Sequence, residues 1–218
     1  MSAAPVAPAT ARPSAPPRRD AGVPIRTLSA DDRDVIVAHL LALEPRDRYL
    51  RFGYAAQDEH IRRYVESIRF GIDDVFGIFN RRLQLIAMAH LAYMVTPGRG
   101  SDAAEFGVSV SRHARGRGYG HRLFARAILH ARNHGVHRLY IHALSENAPM
   151  LHIARSAGAT VVQQAGESEC HLELPPADFD SHLIELLQEE VARADYGLKA
   201  LRGAWHRVAR WWARLLQG

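Results

Sequence analysis

Disulfide bonds within the chain are excluded at the outset, because its 218 residues hold one cysteine, Cys170. That residue sits in the strand-like run ECHLEL, which marks it as core filler rather than a nucleophile. Such sparing use of cysteine fits a reducing compartment. No run of 18 apolar residues occurs, so no spanning helix is expected. The first residues lack the apolar stretch of a secretory signal, and a cytoplasmic location is the expectation. Lysine is nearly absent too: Lys199 is the single one, a usage that carries no functional reading. Net positive charge is missing from the middle of the chain. Of the net +5, residues 1–24 hold +2 and residues 198–218 hold +5, which leaves −2 for residues 25–197. A nucleic-acid-binding core is therefore not expected.

What is present is a 47% apolar fraction, enough for one ordinary core. Residues 1–24 are rich in Ala, Pro and Ser and have little to bury, so disorder is expected there. A strand over 23–29 leads through Ser29 into an amphipathic helix with acids in its first turn. Pro45 breaks that pattern, and 57–70 reads as a second helix, with Ile61, Tyr64, Val65 and Ile68 on one face. A hairpin turning near Asn80–Arg81 follows, then a loop at 97–102, a strand at 104–111 and a helix over about 119–134. The strand 137–144, a helix over 146–159 ending at Gly158, and two more strands complete the pattern. The order β-α-α-β-β-β-α-β-α-β-β predicts an α/β fold with helices around one central mixed sheet.

The sequence ARGRGYGHRLF (114–124) places Gly116, Gly118 and Gly120 between arginines, just before a helix. A helix start presents unpaired N–H groups and partial positive charge, and phosphates bind there readily. A dinucleotide fingerprint needs G-x-G-x-x-G directly after a strand, and a Walker loop needs Gly-Lys-Ser/Thr. Neither pattern is met. His130 and His134 stand four apart on one helix, but without the glutamate of a zinc-protease motif they read as solvated helix histidines, and no metal is expected.

Arg115-x-x-Gly118-x-Gly120 does resemble the pyrophosphate loop of the GNAT superfamily of N-acetyltransferases. EFGVSV before it resembles the family's fourth strand, and NAPMLHIARSAGA (147–159) its asparagine helix. PRDRYLRF (45–52) and AEFGVSV are similar to stretches of bacterial protein-lysine acetyltransferases. The resemblance implies a GNAT domain over 25–175 with acetyl-CoA as cosubstrate. It implies that Val108, Ser109 and Val110 pair with the pantetheine arm. It further implies that Arg115, Gly116, Arg117, Gly118, Tyr119, Gly120 and His121 hold the pyrophosphate, and that Asn147 reaches the cofactor arm.

The implied reaction is attack of a primary amine, on protein lysine or a small molecule, at the thioester. An amine of pKa near about 10.4 must first lose a proton, and the resemblance points to Glu105 as the base, with Glu146 and Glu167 as alternatives. Many superfamily members carry a tyrosine acid seven residues after the asparagine; here that position is Ala154, and no general acid is named. This departure motivates a second expectation, an acyl-CoA sensor without turnover. Arg48, Tyr49, Arg51 and Phe52 are candidates for shaping the acceptor side.

Residues 176–218 form a basic amphipathic helical extension. Ile184, Leu187, Val191, Ala194, Leu198, Leu201, Trp205, Val208, Trp212 and Leu215 alternate by three and four, a heptad seam. Gly197 and Gly203 interrupt it at about 1 kcal/mol each against alanine, and Gly197 is a candidate hinge. Three settings fit this helix: its own domain or another copy, an anionic membrane surface, or a separate partner.

Overall fold

The computed structural model describes residues 23–95, 101–164 and 166–215, with the side chains of the last helix described to residue 200. The disorder expected for residues 1–22 and most of the 97–102 loop lie outside these residues. The elements run β1 (Ile25–Leu28), α1 (Arg33–Leu41), α2 (Pro45–Phe52), α3 (Asp58–Ser67), β2 (Asp74–Phe79), β3 (Leu85–Tyr93), β4 (Ala103–Val110), α4 (Tyr119–Asn133), β5 (Arg138–Leu144), α5 (Ala148–Ser156), β6 (Thr160–Gln164), β7 (Glu167–Glu173) and α6 (Phe179–Leu215). Seven strands form one sheet in the order β1-β2-β3-β4-β5-β7-β6. Every pairing is antiparallel except β4 with β5.

The apolar runs DVFGIF and LIAMAHLAY become β2 and β3, buried on both faces as such unbroken runs must be. Phe76, Ile78, Ala89, Leu91 and Phe106 join Leu123, Phe124 and Ala127 of α4 and Leu151 and Ala154 of α5 in one core. Val75, Phe79 and Met88 point the other way, against Ile36 and Leu40 of α1 and Ile61 and Val65 of α3. Cys170 is fully buried in the first core, as core filler should be. Gly158, with φ +85°, follows the end of α5, in the left-handed conformation a C-terminal glycine supplies at little cost.

Pro45 does more than end a helix. It occupies the first turn of α2, where its fixed φ suits a helix start and its missing N–H has no partner to lose. Arg48 ties α2 down by donating to the carbonyls of Leu41 (2.6 Å) and Leu43 (3.1 Å) and to Asp58 (2.6 Å). It is thus a brace rather than an acceptor residue, while Tyr49 is exposed.

His130 corrects a second expectation, since it is buried rather than solvated. Its Nε2–H donates to Asp74 at 2.8 Å, and its Nδ1–H donates to Glu185 of α6. Burial alone would lower its pKa, but the Asp74 and Glu185 hydrogen bonds overcome that and hold it up at about 9. Arg126, also buried, faces Glu185 at 3.2 Å and Glu189 at 3.7 Å. Asn133 donates to Glu185 as well. Charge therefore fastens α6 to α4 and the sheet. The helix runs through Gly197 without a break, so no hinge is seen there. Among the described residues no helix is long and apolar enough to cross a membrane.

This latch sets a pH dependence. A histidine whose folded pKa is raised to about 9 gives stability that is complete below its unfolded value, near about 6.5, and is lost as pH rises through the folded value. His39 and His90, both lowered to about 4 chiefly by burial, act on the other limb, where stability falls as pH drops from about 6.5 toward 4. Denaturant unfolding from pH 5 to 10 should show His130→Gln losing most stability near pH 6. The difference from wild type, at most about 3 kcal/mol, should shrink by pH 9.5. Parallel curves over that range would contradict the latch.

Candidate active site

The site begins where two strands part. β4 and β5 pair only at Ala103–Arg138, Ala104–Leu139 and Glu105–Tyr140. Beyond Glu105, β4 stays with β3 as far as Val110–Ala87, while β5 stays with β7 as far as Leu144–Glu167. Among the described residues, the β5-facing edge of β4 from Phe106 to Val110 has no strand partner. Backbone groups left so inside a sheet need another partner.

Cavities open on both sides of the gap. One, of about 470 Å³, is lined by Val108, Ser109 and Val110, by Arg115, Gly116, Gly118, Tyr119, Gly120 and His121, and by the first turns of α5. The other, of about 570 Å³, is lined by Glu105, Gly107, His142, Glu167 and Glu169. Leu50, Arg51, Val108, Asn147 and Met150 belong to both and mark the passage between them.

The loop into α4 is shaped for an anion. Gly116 and Gly118 both have φ +73°, which side chains with a Cβ rarely adopt. A Cβ at Gly120 would lie 2.9 Å from Ile153 Cδ1, so that side-chain tip would have to move aside. Among the described residues no backbone carbonyl accepts from the N–H groups of Gly116 through His121. These donors converge on a helix N-terminus, the arrangement that receives phosphates. The loop is clipped to α2 by Arg115–Asp47 at 2.5 Å and Arg112–Glu44 at 2.7 Å. The two loop arginines part company: Arg115 lines the cofactor-sized cavity, whereas Arg117 lines a separate cleft beside the β2–β3 turn.

Asn147 caps α5, its Oδ1 accepting from Met150 N at 3.3 Å, and its Nδ2 donates to the Leu50 carbonyl of α2 at 3.2 Å. It thus joins α5 to α2 across the gap. Ser109 turns its hydroxyl away from the gap. His39 Nδ1–H donates to the Leu85 carbonyl at 3.1 Å, so Nε2 is the acceptor for the Ser109 O–H at 2.9 Å. The Ser109 backbone faces Met88 of β3 in the antiparallel ladder, so the backbone groups turned to the gap are those of its neighbours Val108 and Val110. Burial, followed by the Arg51 charge, keeps His39 neutral.

Arg51 lies flat over the strand, its guanidinium 2.6–2.7 Å from where a Gly107 Cβ would be. It donates to the Tyr64 hydroxyl at 2.7 Å, and Tyr64 passes its own O–H to His90 Nδ1 at 2.8 Å. Burial and then the Arg51 charge hold His90 down at about 4. Arg51 and Phe52 line the second cavity. Glu105 and Glu167 reach that cavity, and Glu146 lines neither. The sequence reading passed over Asp47, Leu50, His142 and Glu169. The signal for the first two was proline's fitness for a helix start. For the last two it was the β5–β7 register, which pairs His142 with Glu169. Ala154 is buried in the core and offers no acid. Among the described residues no group of three or more His, Cys, Asp or Glu is arranged to hold a metal ion.

Known proteins share this architecture. The GNAT domain of S. lividans PAT superposes with a TM-score of 0.58 at 20% identity, over 69% of this chain and 89% of that one. The ribosomal-protein-alanine N-acetyltransferase of Brucella melitensis gives 0.52 at 21% identity, over 69% and 99%. The yncA protein of Salmonella typhimurium, whose structure holds its cofactor acetyl-CoA, gives 0.52 at 19% identity, over 70% and 95%. Comparison with curated proteins finds no match. The model of the acetyltransferase (GNAT) family matches residues 31–159, more than half of the chain and all of the parted-strand site except its β6 and β7 wall. With the parted strands and the anion loop both in place, the chain belongs to the GNAT acetyltransferase family, whose members transfer acyl groups from acyl-CoA.

Proposed function

We propose that the protein transfers acetyl from acetyl-CoA to a primary amine by direct attack, with Glu105 as the base. The parting of β4 from β5 carries this reading, because it opens two cavities that meet at Val108. The cavity with the glycine loop takes the pantetheine and pyrophosphate, and the other takes the amine. The gap-facing backbone groups of Val108 and Val110, with Ser109 between them bonded to β3, bond the pantetheine amides, and the N–H groups of Gly116 to His121 hold the pyrophosphate.

The chemistry needs a neutral amine and a polarised thioester. Glu105 takes the ammonium proton, directly or through a water. The amine lone pair forms the new N–C bond at the thioester carbonyl. A backbone donor of β4 such as Val108 steadies the oxygen charge that develops. The C–S bond then breaks, CoA leaves as a thiolate of pKa near about 8.5, and the surplus proton on the new amide nitrogen passes to that thiolate or to solvent. With Ala154 buried, no side chain at that position protonates it.

The acceptor side is acidic. Pairing of Glu105 with Tyr140, of Tyr140 with His171 and of His142 with Glu169 puts Glu105, His142, Glu167 and Glu169 on one sheet face. Three carboxylates against Arg51 favour an acceptor carrying positive charge beyond the reacting amine, such as a lysine in a basic segment or a polyamine. The sensor reading draws on Ala154, but it leaves the acidic chamber next to the passage without a purpose.

Release of CoA thiol, followed with a panel of cationic amines, tests the reading. Glu105→Gln should cut kcat by about a hundredfold or more while leaving acetyl-CoA binding intact. Unchanged turnover would remove Glu105 as the base, and no turnover by wild type with any amine would favour the sensor. Glu167→Gln and Glu169→Gln should each raise KM for a dicationic amine by up to about fivefold, the worth of roughly 1 kcal/mol. Their effect on a monocationic amine should be smaller.

A further inference from the structure

Helix α6 is mounted inside out. The residues it turns to its own domain are largely polar: Ser181 and Glu185 are buried, and Glu189 is half-buried and accepts from Thr27 at 2.9 Å. Ala192 and Tyr196 complete that face, Tyr196 stacking edge-on against Phe79. The residues it turns outward are apolar. Leu183, Ile184, Leu186, Leu187, Val191 and Leu198 are 46–61% exposed. An amphipathic helix ordinarily buries its apolar stripe against its domain, so this stripe has been kept for something else. Ion pairs and hydrogen bonds to Arg126, His130 and Asn133 hold the helix in this orientation.

The first 22 residues cannot serve as the cover, since Met1 and Val6 are their only large apolar side chains. The spacing of the stripe does name an occupant. Ile184, Leu187, Val191, Ala194 and Leu198 follow the alternation by three and four that lets one helix seat its side chains between those of another. In sequence the same alternation continues to Leu215. Charge gives the direction. Residues 180–195 carry −4 and residues 196–218 carry +5. A parallel pair would set like against like along its whole length, whereas an antiparallel pair sets the acidic half against the basic half. The seam positions pair off about a centre between Leu198 and Leu201, so the pattern is complementary to itself when reversed.

We infer that the outward face of α6 is a docking surface for a second copy of this chain, joined through an antiparallel two-helix coiled coil. The two acetyltransferase domains then sit on either side of the paired helices. Asp180 and Glu190, both exposed, flank the stripe and would be repelled by an anionic lipid surface.

Sedimentation equilibrium of the full chain at 1–50 µM tests this. Wild type should be a dimer. The double variant Leu187→Glu, Val191→Glu should be a monomer with unchanged far-ultraviolet circular dichroism, since both residues are exposed. Engineered cysteines test the direction, with Cys170 buried and silent. Oxidised Leu198→Cys should give a covalent dimer, and Ile184→Cys, far from the centre, should not. A monomeric wild type would overturn the inference. Sedimentation of that monomer with phosphatidylglycerol vesicles would overturn it in favour of a membrane. Crosslinking through both cysteines would overturn the antiparallel arrangement.

Discussion

The structure depends on a hydrogen-bond ladder that stops early. β4 and β5 hold together for three residue pairs and then diverge, each kept in place by its other neighbour. An unpaired backbone edge inside a sheet costs about 1–3 kcal/mol for each buried group left without a partner. In the proposed function, a substrate that carries amides of its own completes the ladder. The site is therefore a missing stretch of secondary structure rather than a hole cut in a surface. The same gap joins the two cavities.

What keeps the gap open is α2, which lies across β4 and β5. Arg51 stacks over Gly107, Asn147 bonds the Leu50 carbonyl, and Asp47 and Glu44 clip the glycine loop. Arg48 and the Arg51–Tyr64–His90 chain hold α2 in turn against α1, α3 and β3. The chain works with neutral imidazoles, since burial leaves His39 and His90 uncharged. His130 is the opposite case: two carboxylates keep it charged, and it holds α6 rather than the site.

Much of this was legible in the sequence, for reasons that differ by element. β2 and β3 announced themselves as unbroken apolar runs, and α4 by its helical period after a loop of alternating glycines. Gly116 and Gly118 could be placed because their positive φ leaves few substitutes. The residues assigned to acyl-CoA came from resemblance, and of these Val108, Ser109 and Val110 lie on the stretch of β4 where the strands part. Side-chain directions were not legible: Arg115 and Arg117 look equivalent in RGRGYG, yet they face different clefts. Nor was His130, whose partners Asp74 and Glu185 lie 56 and 55 residues away along the chain. The seam of α6 was visible from its spacing, but only the structure shows that it faces outward over Ile184–Leu198.

Thermal unfolding of the full chain with and without excess acetyl-CoA, for wild type and Gly118→Val, tests the parted-strand site most directly. A β-branched residue at φ +73° strains the loop and spoils its N–H array. At about 100 times its Kd the ligand should add roughly 2.7 kcal/mol to wild type, seen as a clear rise in Tm, and little or nothing to the variant. A wild-type Tm indifferent to acetyl-CoA would contradict the assignment of the gap and the glycine loop to acyl-CoA.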